Sequence, residues 1–538
     1  MYSKKVKGVA LVIGLVLSVL LLPGCQNVNN ILGGPGTGAT ITVVSNEITF
    51  PIVKIRTLNP LVTKDEDAYF INKLVYQGLF ELNQDLRAMP VLARNAEPVG
   101  DGSSLLIELQ ENVFWSDGEP FIPEDVKYSI EAYKKAMQGD QGLYSSYFKS
   151  IISCKVEKDN KVLIGFKDKE SAVLESLTFP VVSSRQSGKK GEGTKQGGDG
   201  FLPIGTGPYM VTSLNADKEI VLGANPHYEG KQPDNILIFK VFPDRVTPIS
   251  LFEIGSVDFM ILKEPDRDIM IQDKPVKEVS FASNEVEMMG FNLGNLHLSK
   301  KKVRQAIAYA IDVNTILDEV YYGKGVRCET MYPPGYLGVP KEEEHYPFNL
   351  KKAKSMMEEA GYEDVNGDGI YEDADGNPLK IRLLVNEGDQ LRNRAAQLIK
   401  GNLEKAGIAL EMEILSWEAY RLDIQRGRYD IYLGGYKVRD PYSIGGLYNV
   451  KDGESGLEDG GIGIMVDRLN YARGTEEKVA AFDEVNKFLL DELPQYCFFY
   501  KTYGAICAET LEGEVLPTYL NIYNGCQTFT VNRIVLGE

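Results

Sequence analysis

Between residues 380 and 414 the spacing of apolar residues switches from strand to helix and back, and this limits the fold more tightly than any other stretch. "KIRLLVN" reads as a strand; Leu391, Ala395, Leu398, Ile399, Leu403 and Ala406 then recur at helical spacing until Gly407 ends the helix. Ile408, Leu410, Met412 and Ile414 alternate with polar residues as in a second strand. Strand, helix and strand in that order predict a parallel-sheet unit, so this part of the chain is α/β. Apolar stripes across Val303, Ala306, Ile307, Ala310 and Ile311, and across Leu350, Ala353, Met357 and Ala360, are helices to pack around it.

Two segments echo each other. "SLFEIGSVDFMILKEPDR" (250–267) and "RLDIQRGRYDIYLGGYKVRDP" (421–441) share an amphipathic helix, a glycine, an aspartate between apolar or aromatic residues, a short strand and a polar loop. Ligands of open α/β sheets collect outside the carboxyl ends of such strands, so the two loops are candidate walls of one cleft. Chance similarity of two such units is the competing explanation. The stretch from Val91 to Pro203 differs: "SLLIELQENVFW" and "KVLIGFKD" read as strands around a helix near Pro123 to Met137, an inserted α+β module. "SSRQSGKKGEGTKQGGDG" (183–200) fits no phosphate-loop spacing and is expected to be a mobile surface loop.

The 538 residues suggest three or four domains at roughly 150 residues each, or one large multi-lobed body. At the amino end Lys4, Lys5 and Lys7 precede an apolar run from Val9 to Leu22, shorter than the ~20 residues of a spanning helix, as in a cleaved secretion signal. Residues 26–41, "QNVNNILGGPGTGATI", suit a flexible tether. Loss of residues 1–24 removes three lysines and no acid, which takes the net charge from −18 to −21. That acidity argues against nucleic acid and anionic lipid as electrostatic partners.

Six cysteines show no metal-like spacing. Apart from Cys25, they are Cys154, Cys328, Cys497, Cys507 and Cys526, expected as buried thiols, with a Cys507 to Cys526 bond the alternative. No G-x-S-x-G or H-E-x-x-H occurs, and His227, His297 and His345 are far apart. Paired carboxylates about 5–10 Å apart, as in a glycoside hydrolase, stay open as a rival. In "DVNGDGIYEDAD", Asp364, Asn366, Asp368 and Asp375 stand at calcium-loop positions 1, 3, 5 and 12 with Gly369 at 6. A structural calcium site and a metal-free Asp/Gly turn are both open; no cofactor is expected to be required.

Several stretches resemble, as an ordered set, the extracellular solute-binding proteins of family 5, the peptide- and nickel-binding type. They are "VYQGLFELN", "PVLARNAEP", "VFWSDGEPFIPEDVKYSIE", "GTGPYMV", "FNLGN", "KVRQAIAYAID" with "YYGKG", and "NLKKAKSMMEEAGY". Val313 stands where the family usually has arginine. "LPGC" is similar to a lipoprotein lipobox, with Pro23 unusual there, and implies that Cys25 becomes the lipidated first residue of the mature chain.

The resemblance implies a two-lobed periplasmic-binding-protein type II fold of three domains, α/β with a mixed α+β insert, that closes on a solute and delivers it to an ABC importer permease. It implies a signal peptide over 1–24, a tether over 25–41, and a first lobe of 42–75, 204–284 and 503–538 carrying an inserted domain at 76–203. Residues 285–502 would form the second lobe. The implied protein is a monomer, not an enzyme, lipid-anchored outside the bacterial cell membrane or in the periplasm.

In peptide-binding members the loop after the equivalent of "GGY" carries an aspartate that pairs with the peptide amino group; that register places Lys437 here. An ammonium there repels a free amino terminus. Lys437 and Arg439 either bind a ligand carboxylate or phosphate, pair with Asp440 and other acids, or line a site for neutral sugars. Trp417 and Tyr436 are candidate stacking surfaces, and Asn292 of "FNLGN" completes the candidate binding set. Peptide is the leading ligand, with an oligosaccharide or anionic solute as the alternative, a secreted carboxylate hydrolase as the rival class and a transport-free signal receptor as a third reading.

Overall fold

The computed structural model describes residues 40–536 apart from 140–141, 170–172, 188–200, 272–274, 339–343, 439–460 and 473–474. Two units make up the chain. Met1–Val43 with Arg533–Glu538 is one, in which only strand segments are described; Val44–Asn532 is the other, and the architecture below is its own. The expected signal, lipobox and tether, and most of the 183–200 loop, lie outside the described residues.

In the first lobe, β1 (Glu47–Val53) leads into α1 (Glu66–Val75). The insert follows with β2 (Ala93–Val99), β3 (Ser104–Leu109), α2 (Pro123–Ala136), β4 (Ile151–Glu157) and β5 (Lys161–Phe166), its sheet ordered β2-β3-β5-β4. Strict alternation buries Leu105, Ile107 and Leu109 of β3 beside Val162, Ile164 and Phe166 of β5, in one core with Val126, Ile130 and Tyr133 of α2. The "WSDGEPFIPEDV" stretch serves to anchor the start of α2. Buried Asp125 accepts the indole N–H of Trp115 (3.0 Å) and the main-chain N–H groups of Ile122 (3.1 Å) and Ser184 (2.8 Å).

The chain then returns through β6 (Tyr209–Asn215), β7 (Glu219–Ala224) and β8 (Ile236–Phe242), which with β1 form a sheet ordered β1-β8-β7-β6. "GTGPY" enters β6 over the end of α1 with no room to spare: a Cβ on Gly205 would stand 1.9 Å from the carbonyl oxygen of Val75. Gly205→Ala is therefore expected to cost about 3 kcal/mol, because the obstacle is backbone and cannot swing aside. Its urea midpoint, compared with wild type, measures this.

After α3 (Thr247–Glu253) comes β9 (Phe259–Leu262), and β10 (Val276–Phe291) then crosses to the second lobe. That lobe adds α4 (Lys301–Ala310), α5 (Val313–Tyr321), β11 (Gly325–Arg327), α6 (Leu350–Glu359), β12 (Lys380–Asn386), α7 (Gln390–Lys405), β13 (Ala409–Leu415), α8 (Trp417–Gln425), β14 (Ile431–Lys437) and α9 (Thr475–Glu492). β15 (Gln495–Ala508) crosses back.

The strand, helix and strand read from the sequence are β12, α7 and β13, and β12 and β13 pair in parallel from Lys380↔Ala409 to Asn386↔Leu415. Asp389 caps α7 by accepting the N–H of Arg392, and Ala395, Ala396, Ile399 and Leu403 face the core. Gly407, at φ +85°, closes the helix: its N–H reaches the carbonyl of Glu404 while that of Ile408 reaches Leu403. The fold is thus the two-lobed α/β type that the resemblance implied.

One sheet runs through both lobes in the order β9-β15-β10-β14-β12-β13, with β11 paired to β15. β10 and β15 pair from Val276↔Ala508 to Ala282↔Thr502 and resume at Val286↔Tyr500, so Ser283, Asn284 and Glu285 bulge out where the strands pass between lobes. Buried ion pairs bracket this bend. On the first-lobe side Arg267, its side chain fully buried, binds Glu278 (2.8 Å), Ser280 (2.9 Å) and the carbonyl of Thr502 (3.1 Å). On the second-lobe side Glu287 receives Arg392 through two bonds (2.8 and 2.9 Å) and Lys501 at 2.7 Å.

Candidate functional site

The two echoed segments end strands of this one sheet on opposite sides of the crossing pair. β9 pairs with β15 and β14 with β10, all antiparallel, so the echoed strands flank the crossing pair symmetrically. Gly255 (φ +77°) and Gly427 (φ +64°) make the same left-handed turn. Asp258 and Asp430 then accept main-chain N–H groups from a neighbouring strand, Thr49 and Arg382, each at 2.8 Å. Beyond β9 lies Lys263, and at the end of β14 lies Lys437; both line a cavity of about 340 Å³.

The cavity is walled by Tyr69 and Phe70 of α1, Tyr144 and Tyr147 of the insert, Tyr503 and Asn284 of the crossing strands, and Tyr519. Tyr69, Tyr147 and Leu520 also line an adjoining space of about 280 Å³ with Lys73, Glu81, Asn83 and Thr178. Its charges converge on Glu66, at the first turn of α1. Lys263 approaches Oε2 at 2.6 Å and Lys437 approaches Oε1 at 3.4 Å. Lys437 also lies 3.8 Å from Glu285, which Lys501 neighbours at 3.8 Å and to which Tyr503 donates at 2.8 Å. Asp67 takes both oxygens to Arg245 and accepts the N–H of Val53.

Burial pushes the Glu66 carboxyl up, but the hydrogen bonds and charges of Lys263 and Lys437 outweigh it and leave it below its ordinary value of 4.5. A depressed carboxyl contributes its pairing in full above the ordinary value and loses it as pH falls through the lowered one. Inter-lobe fluorescence transfer is expected to be flat from neutral pH to about 5 and to drop below that in wild type only, relative to Glu66→Gln.

The structure disperses much of the set named from sequence. Lys437 pairs with Glu66 and Glu285, on another lobe and on the crossing strand; Arg439 and Asp440 lie outside the described residues. Tyr436 packs toward a core beside Val286 and Leu86. Trp417 is 54% exposed at the start of α8 and stacks on Tyr420. Asn292 caps the far end of β10, donating to the carbonyls of Gly427 and Tyr429, whereas Lys437 pairs with Glu285 nearer the bend. Sequence reading missed Glu66, Lys263, Glu285 and Tyr503; only Lys263 left a trace, as the residue just past the strand in the first echo.

In the calcium-like loop, Asp364 accepts the N–H groups of Gly367 and Gly369, and Asn366 and Asp368 those of Asp368 and Ile370. Asp375 donates its own N–H to Asp373. Among the described residues no three acid, histidine or cysteine side chains are gathered as metal ligands. Cys154, Cys328, Cys497, Cys507 and Cys526 are free thiols, and burial pushes Cys507 and Cys526 up to about 12. The histidines sit apart: His297 bonds Tyr362 (2.9 Å), His345 packs on Tyr346, and His227 lies under Gly118. Among the described residues no helix is long and apolar enough to cross a membrane.

The model of the family described as "Bacterial extracellular solute-binding proteins, family 5 Middle" matches residues 87–456. The oligopeptide-binding protein AppA of Bacillus subtilis is 24% identical over 496 residues, 87% of this chain and 88% of its own. The NikA structure from Brucella suis, in complex with Fe(III)-EDTA, superposes with a TM-score of 0.68 at 23% identity, over 88% of this chain and 98% of that one. An ABC transporter substrate-binding protein from Sinorhizobium meliloti superposes with a TM-score of 0.73 at 20% identity, over 91% and 100%. With the family matched over most of its length and a cavity at the crossing of two lobes, this chain belongs to the bacterial extracellular solute-binding proteins of family 5, as a substrate-binding component of an ABC transporter.

Proposed function

We propose that the protein captures short peptides in the cavity at the lobe crossing and delivers them to an ABC importer permease, held at the outer face of the membrane by lipid on Cys25. The observation that carries the peptide reading is the cavity's lining: tyrosines for apolar side chains, Asn284 for main-chain groups, and charges of both signs at one end. The oligopeptide-binding relative over 87% of the chain supports it. Closure follows binding only by as much as the ligand prefers the closed state, so a ligand must touch both lobes. Lys263 and Lys437 supply one such contact from each.

Mass spectrometry of the small molecules released by denaturing the purified protein tests this. Peptides are the expected result; saccharides without peptides overturn it. Cys25→Ala is expected to move the protein from the membrane fraction to the soluble fraction, since one retained anchor is replaced by none.

A further inference from the structure

We infer that the end of the cavity where the lobes meet is an anion subsite: Lys263 and Lys437 receive a carboxylate of the bound solute, and Glu66 occupies that position until the solute arrives. For the identity of the anion, the terminal or side-chain carboxylate of a peptide, this rests on the function proposed above; for the subsite itself it does not.

The first support is geometric. Two ammonium groups, carried by the ends of strands on either side of the crossing pair, meet on the two oxygens of one carboxylate, at 2.6 and 3.4 Å. A solute carboxylate bridging the lobes would take the same position. The second is charge. Four cations (Lys64, Arg245, Lys263 and Lys437) line the cavity against Glu66 and Asp67, in a chain whose 76 acids outnumber its 58 lysines and arginines. Asp67 is committed to Arg245 and the N–H of Val53, so Glu66 is the acid able to leave. Its side chain is 38% exposed, and Lys263 and Lys437 are its ion-pair partners among the described residues.

Glu285 is the other carboxylate beside Lys437, but it is shared with Lys501 and with the hydroxyl of Tyr503. When Glu66 swings out, two half-buried ammoniums remain without a full counter-charge at the end of the cavity. There an incoming carboxylate is held by both, whereas an incoming ammonium is repelled by both. One carboxylate replaces another, so the exchange leaves the local charge unchanged.

The test uses calorimetry of the whole protein with inorganic phosphate at constant ionic strength, then retention of random tetrapeptide libraries. Glu66→Gln is expected to bind phosphate at least tenfold more tightly than wild type, and Glu66→Gln with Lys263→Gln or Lys437→Gln to lose that gain. Phosphate binding equal in wild type and Glu66→Gln overturns the subsite. Should the amide introduced by Glu66→Gln still bridge the lysines, Glu66→Ala gives the same reading without it. Wild type is expected to retain free-acid peptides at least tenfold over their carboxamides, with amino-terminal acetylation making little difference. Equal retention of acids and amides overturns the assignment of the peptide carboxylate while leaving peptide capture intact. Retention of no peptide, with phosphate still bound by Glu66→Gln, overturns peptide capture and leaves the subsite standing.

Discussion

Arg267→Ala is expected to destabilise the first lobe by about 3–5 kcal/mol, the cost of breaking a buried ion pair from one side. The guanidinium is fully buried and joins Glu278 and Ser280 of one crossing strand to the carbonyl of Thr502 on the other. It also fills the space over Gly504, where a Cβ would stand 2.5 Å from its Nε. Alanine removes the packing and leaves Thr502 short of a donor. Glu278 keeps Lys324, at 3.6 Å, as its ion-pair partner among the described residues. Arg267→Lys is expected to recover part of the loss, because a point charge reaches fewer of the acceptors than the planar fork does. Urea unfolding reads both; an alanine variant with the wild-type midpoint would show that the bend is held by strand pairing alone.

Lys478→Met is expected to weaken solute binding about 10- to 100-fold, by leaving a carboxylate buried without its partner when the lobes are together. Glu175 stands in a turn whose Leu177 belongs to the core of the first lobe, while Lys478 is on α9, whose Val485 and Leu489 belong to another core. They meet at 2.6 Å with Glu175 only 4% exposed. Its second oxygen has no hydrogen-bond partner among the described residues, so the lysine is what makes burial tolerable. An opening that separates this pair returns Glu175 to water, so the penalty is expected to fall on the closed state alone. Lys478→Met with Glu175→Met is expected to regain most of the affinity, since two apolar groups need no pairing. Titration of the identified solute against the variants, with small-angle scattering of each, measures affinity and closure together. Wild-type affinity in Lys478→Met would show that this contact does not contribute to closure.

Periodicity is local, and so the α/β unit at 380–414 is legible in the sequence alone: apolar spacing, Asp389 at one helix end and Gly407 at the other lie within a few residues of the groups they act on. The ordered stretches from "VYQGLFELN" to "NLKKAKSMMEEAGY" carry the family for a related reason. In the structure they are packing and capping features, such as Asp125 under α2 and Gly205 against α1, which one fold imposes together.

Ion-pair partners are not local. Lys437 is visible in the sequence as a cation just past a strand-like run, and Asp440 is its nearest acid along the chain. The acids that meet it among the described residues are Glu285 of the crossing strand and Glu66, 371 residues away, because β14 and α1 reach the same cavity only once β10 and β15 have bent across. Asn292 shows the same limit from the other side. It stands in a recognisable motif, yet whether that end of β10 faces a ligand or a neighbouring loop depends on which strand pairs beside it. Helix ends and sheet periods arise from contacts a few residues apart, whereas a binding site arises where distant segments are packed together.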